Sequence, residues 1–390
     1  MPMTRRDFLK TTTAAAAATS FLPSLLSKSS RAFAENGSGL KTKRVILVAF
    51  AGGVRSKETI GTPENIPNLM RIAKAGVVAP NMKARNVGHY GAALGLFTGC
   101  VEELGIRENQ RGKNPTVFEY LRKQLDLGAK DCWLSTTGGA QTINYAYGDH
   151  KDYGAKYGAN LISGDGIFNA EFRDILDRFG RPKKANDAEA ALVKKMEDAM
   201  DPEEVKKIAD GSLKNDAETQ RKVKQFILDE ISANTANLTG PGAADAKSIR
   251  VAMNLFRIFK PRVIGIGLQE ADVAHNSINA YIEVIRRNDA EIGKLWDAIQ
   301  MDPELKETTT VIVLPEFGRD KDLNQRNGLD HGDRSDELGK VCMFAAGPDF
   351  KKNSQSLAEF QTIDVAPTMC ALMGAKAEHA KAKALKELYG

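Results

Sequence analysis

Three runs of apolar, often β-branched residues constrain the fold of this chain more than any other feature. They are Arg44–Phe50 (RVILVAF), residues 262–268 (RVIGIGL) and residues 309–314 (TTVIVL). Each run has the length of one strand, and continuous apolar runs are typical of strands that are buried on both faces of a sheet. Amphipathic helical patterns, such as residues 115–125 (PTVFEYLRKQL), alternate with these runs. We therefore predict an α/β fold in which one sheet carries helices on both faces.

The middle of the chain, from about residue 173 to residue 240, differs in character from both flanks. Strand signals vanish there and charged helical patterns dominate. Asp201 and Pro202 have the spacing of an N-cap and a first helical residue, and Gly240-Pro241-Gly242 follows as a linker. The 390 residues, 42% of them hydrophobic, can bury one large core plus an insertion, or two smaller cores. We predict one domain, residues 35–390, that a helical insertion interrupts at about 173–240.

The N-terminus predicts export by the twin-arginine pathway. Residues 4–10 (TRRDFLK) contain the paired arginines, and Ala32-Phe33-Ala34 is a small-x-small peptidase site. Residues 11–26, between them, are too short and too rich in Ala and Thr to span a bilayer, which takes roughly 20 apolar residues. We therefore expect a signal peptide at residues 1–34, a mature chain that begins at Glu35 in the periplasm, and the twin-arginine translocase as a partner. Stable membrane insertion is not expected.

Charge and cysteine usage exclude two classes of function. The net charge is +5, but the leader carries +4 of it, which leaves +1 on the mature chain. Nucleic-acid binding proteins have a much larger basic excess, so no nucleic-acid partner is expected. The four cysteines lack the C-x-x-C spacing of zinc knuckles and thiol redox sites. Disulfide pairing in the periplasm remains open, but apolar neighbours favour buried free thiols.

Carboxylates and imidazoles gather after the second and third apolar runs. They are Asp272, His275, Glu316, Asp330 and His331. Glu316 directly follows the third run, and Asp330 and His331 lie in a Gly-containing loop a few residues later. Open α/β sheets bind ligands beyond the carboxyl ends of their strands. Because oxygen and imidazole ligands suit a divalent metal, and a metal suits the hydrolysis of charged esters, the pattern favours a metal-dependent hydrolase.

The order of these segments resembles the alkaline-phosphatase-like superfamily, which includes phosphatases, sulfatases, phosphodiesterases and cofactor-independent phosphoglycerate mutases. The matching motifs are the first apolar run with its Gly turn, Pro67-Asn68-Leu69-Met70, Ala75-Gly76-Val77, residues 89–99, Asp272 and His275 ahead of Tyr281 and Asp289, EFGR at 316–319, DHG at 330–332 and Asp364-Val365-Ala366-Pro367-Thr368. They span residues 44–374 apart from the insertion. EFGR and DHG together with a twin-arginine leader further resemble a bacterial branch often described only as sulfatase-like. The resemblance implies a three-layer α/β/α sandwich.

The resemblance also implies a metal site, and this chain lacks some of the residues that the superfamily usually has there. In that superfamily two metals about 4 Å apart clamp the ester while a Ser, Thr or formylglycine hydroxyl attacks. One metal would be held here by Asp272, His275 and His331, with Glu270 able to replace or supplement Asp272. The usual positions for the second metal and the nucleophile read Ala51-Gly52, Glu316-Phe317 and Asn86. A second metal is therefore not expected, and an Asn86 amide cannot form a covalent intermediate.

Two functions follow from this reduced site. The first is hydrolysis of a phosphate or sulfate ester by one divalent metal, favoured to be zinc, and an activated water, with Glu316 or Asp330 as base or ligand. Asn86 would then position the substrate, and His89 would line the pocket or hydrogen-bond Asn86. The second is a catalytically degenerate periplasmic binding protein. In either case the ligand is a small anionic ester or a sulfated or phosphorylated glycan.

Each candidate residue also has a structural interpretation. His331 fits an ordinary surface loop, and Asp272 with His275 fits the N-cap and first turn of the helix that follows. Glu316 fits an ion pair with Arg319 that has no role in chemistry. Only the tertiary structure decides whether these side chains meet.

Overall fold

The computed structural model describes residues 39–105, 110–138, 141–163, 171–180, 191, 216–232 and 238–390. The predicted signal peptide and the predicted helix start at Asp201-Pro202 lie outside these residues. The strands are β1 (Arg44–Phe50), β2 (Gly76–Lys83), β3 (Cys132–Thr136), β4 (Asn160–Ser163), β5 (Val263–Leu268), β6 (Thr309–Pro315), β7 (Lys340–Ala346), β8 (Ser354–Gln355) and β9 (Phe360–Gln361). The α-helices are α1 (Pro67–Lys74), α2 (His89–Thr98), α3 (Val117–Gln124), α4 (Glu171–Phe179), α5 (Ala217–Ser232), α6 (Ala243–Phe259), α7 (Ile278–Met301), α8 (Pro303–Lys306), α9 (Asp336–Gly339) and α10 (Val365–Leu372).

The three apolar runs become neighbouring strands in the centre of one sheet. The strand order is β4-β3-β5-β1-β6-β7-β2-β8, and β9 pairs with β2. β1 runs parallel to β5 on one side and to β6 on the other, and Phe50 is in register with Leu268 and with Pro315. The segments that follow these three strands therefore leave the sheet at the same level and at the same edge. This register places the candidate residues close together.

Helices cover both faces of the sheet, because the side chains of a strand alternate between the two faces. Along β1, Ile46, Val48 and Phe50 belong to one buried apolar cluster that includes residues of α1, α4, α5, α6 and α7. Val45, Leu47 and Ala49 belong to a second cluster, with residues of α2, α3 and α10. The predicted three-layer α/β/α sandwich is thus confirmed.

Among the described residues, α4 overlaps the start of the predicted insertion and α5 lies within it. Both bury apolar side chains in the first cluster. The Phe172 ring packs against Phe226, with the centroids 5.8 Å apart, and Phe179 packs against Trp133 of β3 at 5.9 Å. These two helices therefore belong to one layer of the sandwich.

Three local features complete the fold. β2 runs from Gly76 to Lys83, and β7 and the short strands β8 and β9 pair with it. The small-residue run after His89 forms α2, whose tight packing suits Gly and Ala. All four cysteines are free and buried, which agrees with the favoured interpretation.

Glu119 gives the fold a pH dependence that is separate from the candidate site. This fully buried carboxylate accepts hydrogen bonds from the backbone amides of Thr116, Gly148 and Gly154 at 2.7 to 2.8 Å. Burial outweighs these bonds and raises the pKa of Glu119 from 4.5 to about 7. Between these values the folded state holds a proton that the unfolded state has lost, so the free energy of unfolding falls as the pH rises. The expected loss is about 3 kcal/mol from pH 4.5 to 7.

Urea unfolding of chelator-treated protein at several pH values measures this loss. Glu119→Gln removes the titrating group, so its unfolding free energy should decline less between pH 4.5 and 7 than that of the unaltered protein. Glu103→Gln changes an exposed carboxylate and should leave the decline as it was. Equal declines in Glu119→Gln and the unaltered protein would contradict the assignment.

Candidate metal centre

The candidate site lies at the carboxyl edge of the sheet, where four chain segments meet. Gly52 and Gly53 follow β1, a 3₁₀ helix at Glu270–His275 follows β5, and residues 316–333 follow β6. His89 begins α2. Gly52 allows the close approach of two of these segments, because a Cβ there would lie 2.5 Å from the Gln269 carbonyl oxygen and 2.6 Å from the Asp272 nitrogen.

Four side chains converge at this edge. They are His89, Asp272, His275 and His331. Each offers one ligand atom, and these atoms lie within 4.8 Å of one another. Asp272 Oδ1 is 2.9 Å from His89 Nε2 and 3.3 Å from His275 Nε2. The His331 ring centroid is 4.7 Å from that of His89 and 5.0 Å from that of His275. The structure thus brings together the three predicted ligands and adds His89.

Two of the imidazoles are oriented by carboxylates. Glu316 Oε1 lies 2.6 Å from His89 Nδ1, and Asp330 Oδ1 lies 2.6 Å from His275 Nδ1. Both rings therefore turn their Nε2 atoms toward Asp272. Metal-binding histidines usually have such a carboxylate on the ring nitrogen that does not bind the metal. Glu316 and Asp330 thus contact the imidazoles, where the sequence suggested ligands or bases.

The tautomer of His275 follows from its neighbours. Arg319 Nη1 lies 3.1 Å from His275 Nε2. A guanidinium has only hydrogen-bond donors, so Nε2 accepts, and the ring proton sits on Nδ1, which donates to Asp330. The lone pair of Nε2 thus points into the cluster.

Charges in the cluster shift the pKa values of its members. Burial favours neutral His89, but the Glu316 charge, the hydrogen bond to Glu316 and the nearby Asp272 carboxylate raise the pKa of His89 to about 9. Burial and the neighbouring positive charges of His89 and Arg319 lower the pKa of His331 to about 4. Although burial opposes it, contact with His89 and Arg319 holds the pKa of Asp272 well below its usual value. Without a cation, His89 is therefore an imidazolium between two carboxylates.

The donor set fits a divalent metal ion. Three imidazole nitrogens and one carboxylate are ligands that zinc and its neighbours accept. His89 Nε2 is buried and has no hydrogen-bond partner with acceptable angles, although Asp272 Oδ1 is near. The contacts of Asp272 with His89, His275 and Arg319 all involve Oδ1, so Oδ2 remains available to a cation. A cation bound beside His89 would favour loss of the ring proton.

The contacts of Arg319 were not predicted from the sequence. This fully buried guanidinium pairs with Asp272 at 2.6 Å, and not with Glu316 as the structural interpretation held. The next residue, Asp320, accepts hydrogen bonds from the Gly332 and Asp333 amides at 2.6 and 2.9 Å and so holds the loop just after His331. In the sequence, the only indication that Arg319 and Asp320 belong to the site was their position directly after Glu316-Phe317-Gly318.

Other predicted residues lie outside the cluster. The Asn86 side chain donates to the Glu102 carbonyl and accepts from the Gly88 amide, so it shapes the turn before α2. Glu270, the alternative to Asp272, accepts hydrogen bonds from the Ala244 and Asp245 amides at the start of α6. Phe317 packs its buried ring 4.8 Å from the His89 ring and 5.4 Å from the His331 ring. The cluster therefore has an aromatic wall.

A separate cavity of about 680 Å³ lies between helices α5, α6 and α7. Its lining includes Asn254 and Phe256 of α6, Leu295 of α7 and Pro303 of α8. Asn254 and Phe256 lie in the last two turns of α6, before the amino end of β5, and Leu295 and Pro303 lie before the amino end of β6. The cavity therefore lies at the edge opposite the histidine cluster and takes no part in the candidate site.

Comparisons with known proteins support the fold and the leader. A family model of the twin-arginine translocation pathway signal sequence matches residues 2–21. The predicted twin-arginine signal is confirmed, and the protein is exported to the periplasm by this pathway. No helix among the described residues is long and apolar enough to cross a membrane. A search of curated proteins found no significant match.

Solved structures with the same fold belong to the alkaline phosphatase superfamily. Wild-type alkaline phosphatase PafA matches with a TM-score of 0.57 and 9% identity, over 90% of this chain and 99% of that one. A superfamily protein from Vibrio parahaemolyticus matches at 0.53 and 12%, over 88% and 69% of the two chains. A Bacteroides thetaiotaomicron protein described with the metabolism of multiple glycosaminoglycans matches at 0.54 and 14%, over 90% and 82%. At these identities the likeness establishes the fold, and this chain has the alkaline-phosphatase-like fold.

Proposed function

We propose that this protein is a periplasmic, metal-dependent hydrolase of phosphate or sulfate esters. The observation that carries the proposal is the convergence of His89, Asp272, His275 and His331, with ligand atoms within 4.8 Å of one another. Carboxylates behind two of the rings support it, because an outer carboxylate fixes a histidine for metal binding. The location beyond the ends of three central strands is where open α/β sheets bind ligands.

Asp272, His275 and His331 would hold one divalent cation, and zinc suits this set. Three protein ligands leave one coordination position open, as in catalytic zinc sites. A cation held there would supply a Lewis acid for the ester oxygen and would lower the pKa of a water molecule toward about 7. Asp330 orients His275, and Asp320 holds the backbone after His331.

His89 and Glu316 would handle the proton of the attacking water. Glu316 fixes the His89 ring through Nδ1 and directs Nε2 into the cluster. An imidazole held by a buried carboxylate in this way is a general base in many hydrolases. A nearby cation would favour the neutral ring, which can take a proton on Nε2. The leaving alcohol would later receive that proton.

The proposed reaction has no covalent intermediate. By the resemblance, Asn86 would occupy the position of the superfamily's nucleophile, and its amide hydrogen-bonds the Gly88 and Glu102 backbone. Water would therefore attack phosphorus or sulfur directly. With one cation in place of two, turnover should be slow compared with a two-metal phosphatase.

Metal analysis and turnover test the proposal together. The mature protein, expressed with its leader and purified from the periplasm, should retain about one divalent ion per chain. It should hydrolyse 4-nitrophenyl phosphate or 4-nitrophenyl sulfate, and a chelator should abolish this activity. A protein that binds no divalent ion under any loading condition would refute the proposal.

A binding protein on the same fold is the second candidate. The missing carboxylate at Ala51 and the engagement of the Asn86 amide favour it, because both remove parts of the usual catalytic apparatus. Stoichiometric metal and tight binding of an anionic glycan or phosphoester, with no turnover of either ester, would identify this function.

The variant His89→Gln distinguishes two roles of His89, that of a general base and that of a metal ligand. If His89 is the base, the variant should keep its metal and lose turnover by roughly 100- to 10,000-fold, the usual contribution of general acid–base catalysis. Metal content by mass spectrometry and the rate of ester hydrolysis measure the two effects. His379→Gln, on a histidine outside the cluster, is the matched control. Loss of metal and activity together in His89→Gln would instead make His89 a fourth ligand.

A further inference from the structure

Arg319 uses every hydrogen-bond donor of its buried guanidinium within the candidate site. Nε donates to the Gly53 carbonyl at 3.3 Å, and Nη2 donates to the Gly52 carbonyl and to Asp272 Oδ1. Nη1 donates to the Leu329 carbonyl at 3.3 Å and to His275 Nε2 at 3.1 Å. Five N–H groups thus meet five acceptors. Three of these acceptors are backbone carbonyls, which fix the guanidinium firmly.

We propose that Arg319 is the second cation of this site and that metal loading frees one of its N–H groups to bind an anionic oxygen of the substrate. The proposal rests on the proposed function, because it requires a cation on His275 Nε2. It also gives a physical reason for the loss of the superfamily's second metal. The guanidinium contacts the turn after β1, where the resemblance places a metal-binding carboxylate and this chain has Ala51-Gly52.

The N–H group becomes free because His275 Nε2 has only one lone pair. That lone pair accepts a hydrogen bond from Arg319 Nη1 when no cation is present. A cation on Nε2 takes the same lone pair, so this N–H loses its acceptor. The other four hydrogen bonds of Arg319 involve different atoms, so they keep the guanidinium within the site while Nη1 moves away from Nε2. A buried donor without a partner is unfavourable, so an oxygen that enters the site beside the cation satisfies it.

The chemistry of the freed donor selects a tetrahedral anion. A guanidinium remains charged at any physiological pH and binds phosphate and sulfate oxygens with directed hydrogen bonds. In the cation-free protein this donor is occupied by His275. Anion binding by Arg319 therefore requires the metal, and by linkage the anion should strengthen metal binding by the same factor.

The surrounding backbone holds the Arg319 guanidinium at this position. Gly53 has a φ of +65°, and a Cβ there would lie 2.9 Å from Arg319 Nε. Arg55 Nη1 donates to the Asp320 and Lys321 carbonyls at 2.7 Å and anchors the segment just after Arg319. The guanidinium is thus held from both the β1 turn and its own segment.

Arg319→Lys keeps the positive charge and removes the fork of donors. We expect it to bind metal at the original stoichiometry but to bind inorganic phosphate roughly 10- to 100-fold more weakly in the presence of zinc, the loss expected for one hydrogen bond to a charged group. Calorimetry measures both constants. Arg257→Lys makes the same change on an exposed arginine of α6 and should alter neither. Unchanged phosphate affinity in metal-loaded Arg319→Lys would overturn the inference.

A crystal structure of the unaltered protein with zinc and phosphate decides the question if Arg319→Lys fails to fold or to bind metal. The inference expects Nη1 to have left His275 Nε2 and to lie within hydrogen-bonding distance of a phosphate oxygen. Zinc and phosphate bound with no contact to Arg319 would overturn the inference alone. A structure without zinc on the histidines would instead overturn the proposed function.

Discussion

His331→Ala is expected to abolish both metal binding and ester hydrolysis. The ring lies 4.7 Å and 5.0 Å from the other two imidazoles of the cluster, so its loss leaves a cation with too few ligands. Replacing an outer partner of a ligand commonly weakens metal binding by roughly 10- to 100-fold, and loss of a ligand itself should exceed this. Competition with a chelator for zinc, together with hydrolysis of 4-nitrophenyl esters, measures both losses.

Two further variants define this effect. Asp330→Asn leaves all three ligands in place but removes the charge that orients His275, so zinc affinity should fall within the range for outer partners. His150→Ala removes a histidine outside the cluster and should change neither affinity nor rate. Wild-type zinc affinity in His331→Ala would show that His331 is not a metal ligand.

Replacing Arg5 and Arg6 together with Lys should leave almost all of the protein as precursor in the cytoplasm. The twin-arginine translocase recognises the paired guanidinium groups, which lysine cannot reproduce. Cell fractionation and N-terminal sequencing measure the result: the unaltered protein should begin at Glu35 in the periplasm. Lys28→Arg, elsewhere in the leader, is the control and should be exported normally. Periplasmic accumulation of the double variant at the normal level would contradict the assignment.

The export experiment also tests where the protein binds its metal. Substrates of the twin-arginine pathway fold before export, so the cluster would form and load its cation in the cytoplasm. A precursor retained by the double replacement should therefore already contain metal when it is purified from the cytoplasm. Metal in the periplasmic form alone would indicate loading after export.

Sequence and structure contributed differently to the candidate site. Asp272, His275 and His331 could be predicted because each follows an apolar run that is a strand or lies in the next loop, and parallel strands end at one edge. His89 was singled out too, but as a pocket residue or a partner of Asn86. Its contacts with Glu316 and Asp272 join residues 227 and 183 positions apart along the chain, which no local pattern indicates.

The apolar periodicity of this sequence by itself determined the strands, the helical layers and the edge at which ligands gather, because these depend on burial along each segment. The twin-arginine signal could likewise be predicted from the sequence, because it is a short contiguous motif. Only the tertiary structure decided the partners of the charged groups: Arg319 with Asp272, Glu316 with His89 and Asp330 with His275. The order β5-β1-β6 brings together the segments that carry Asp272, His275, Arg319 and Asp330, and α2 adds His89, so segments distant in sequence lie side by side. Charge alone permits many pairings, and the tertiary arrangement of these segments selects among them.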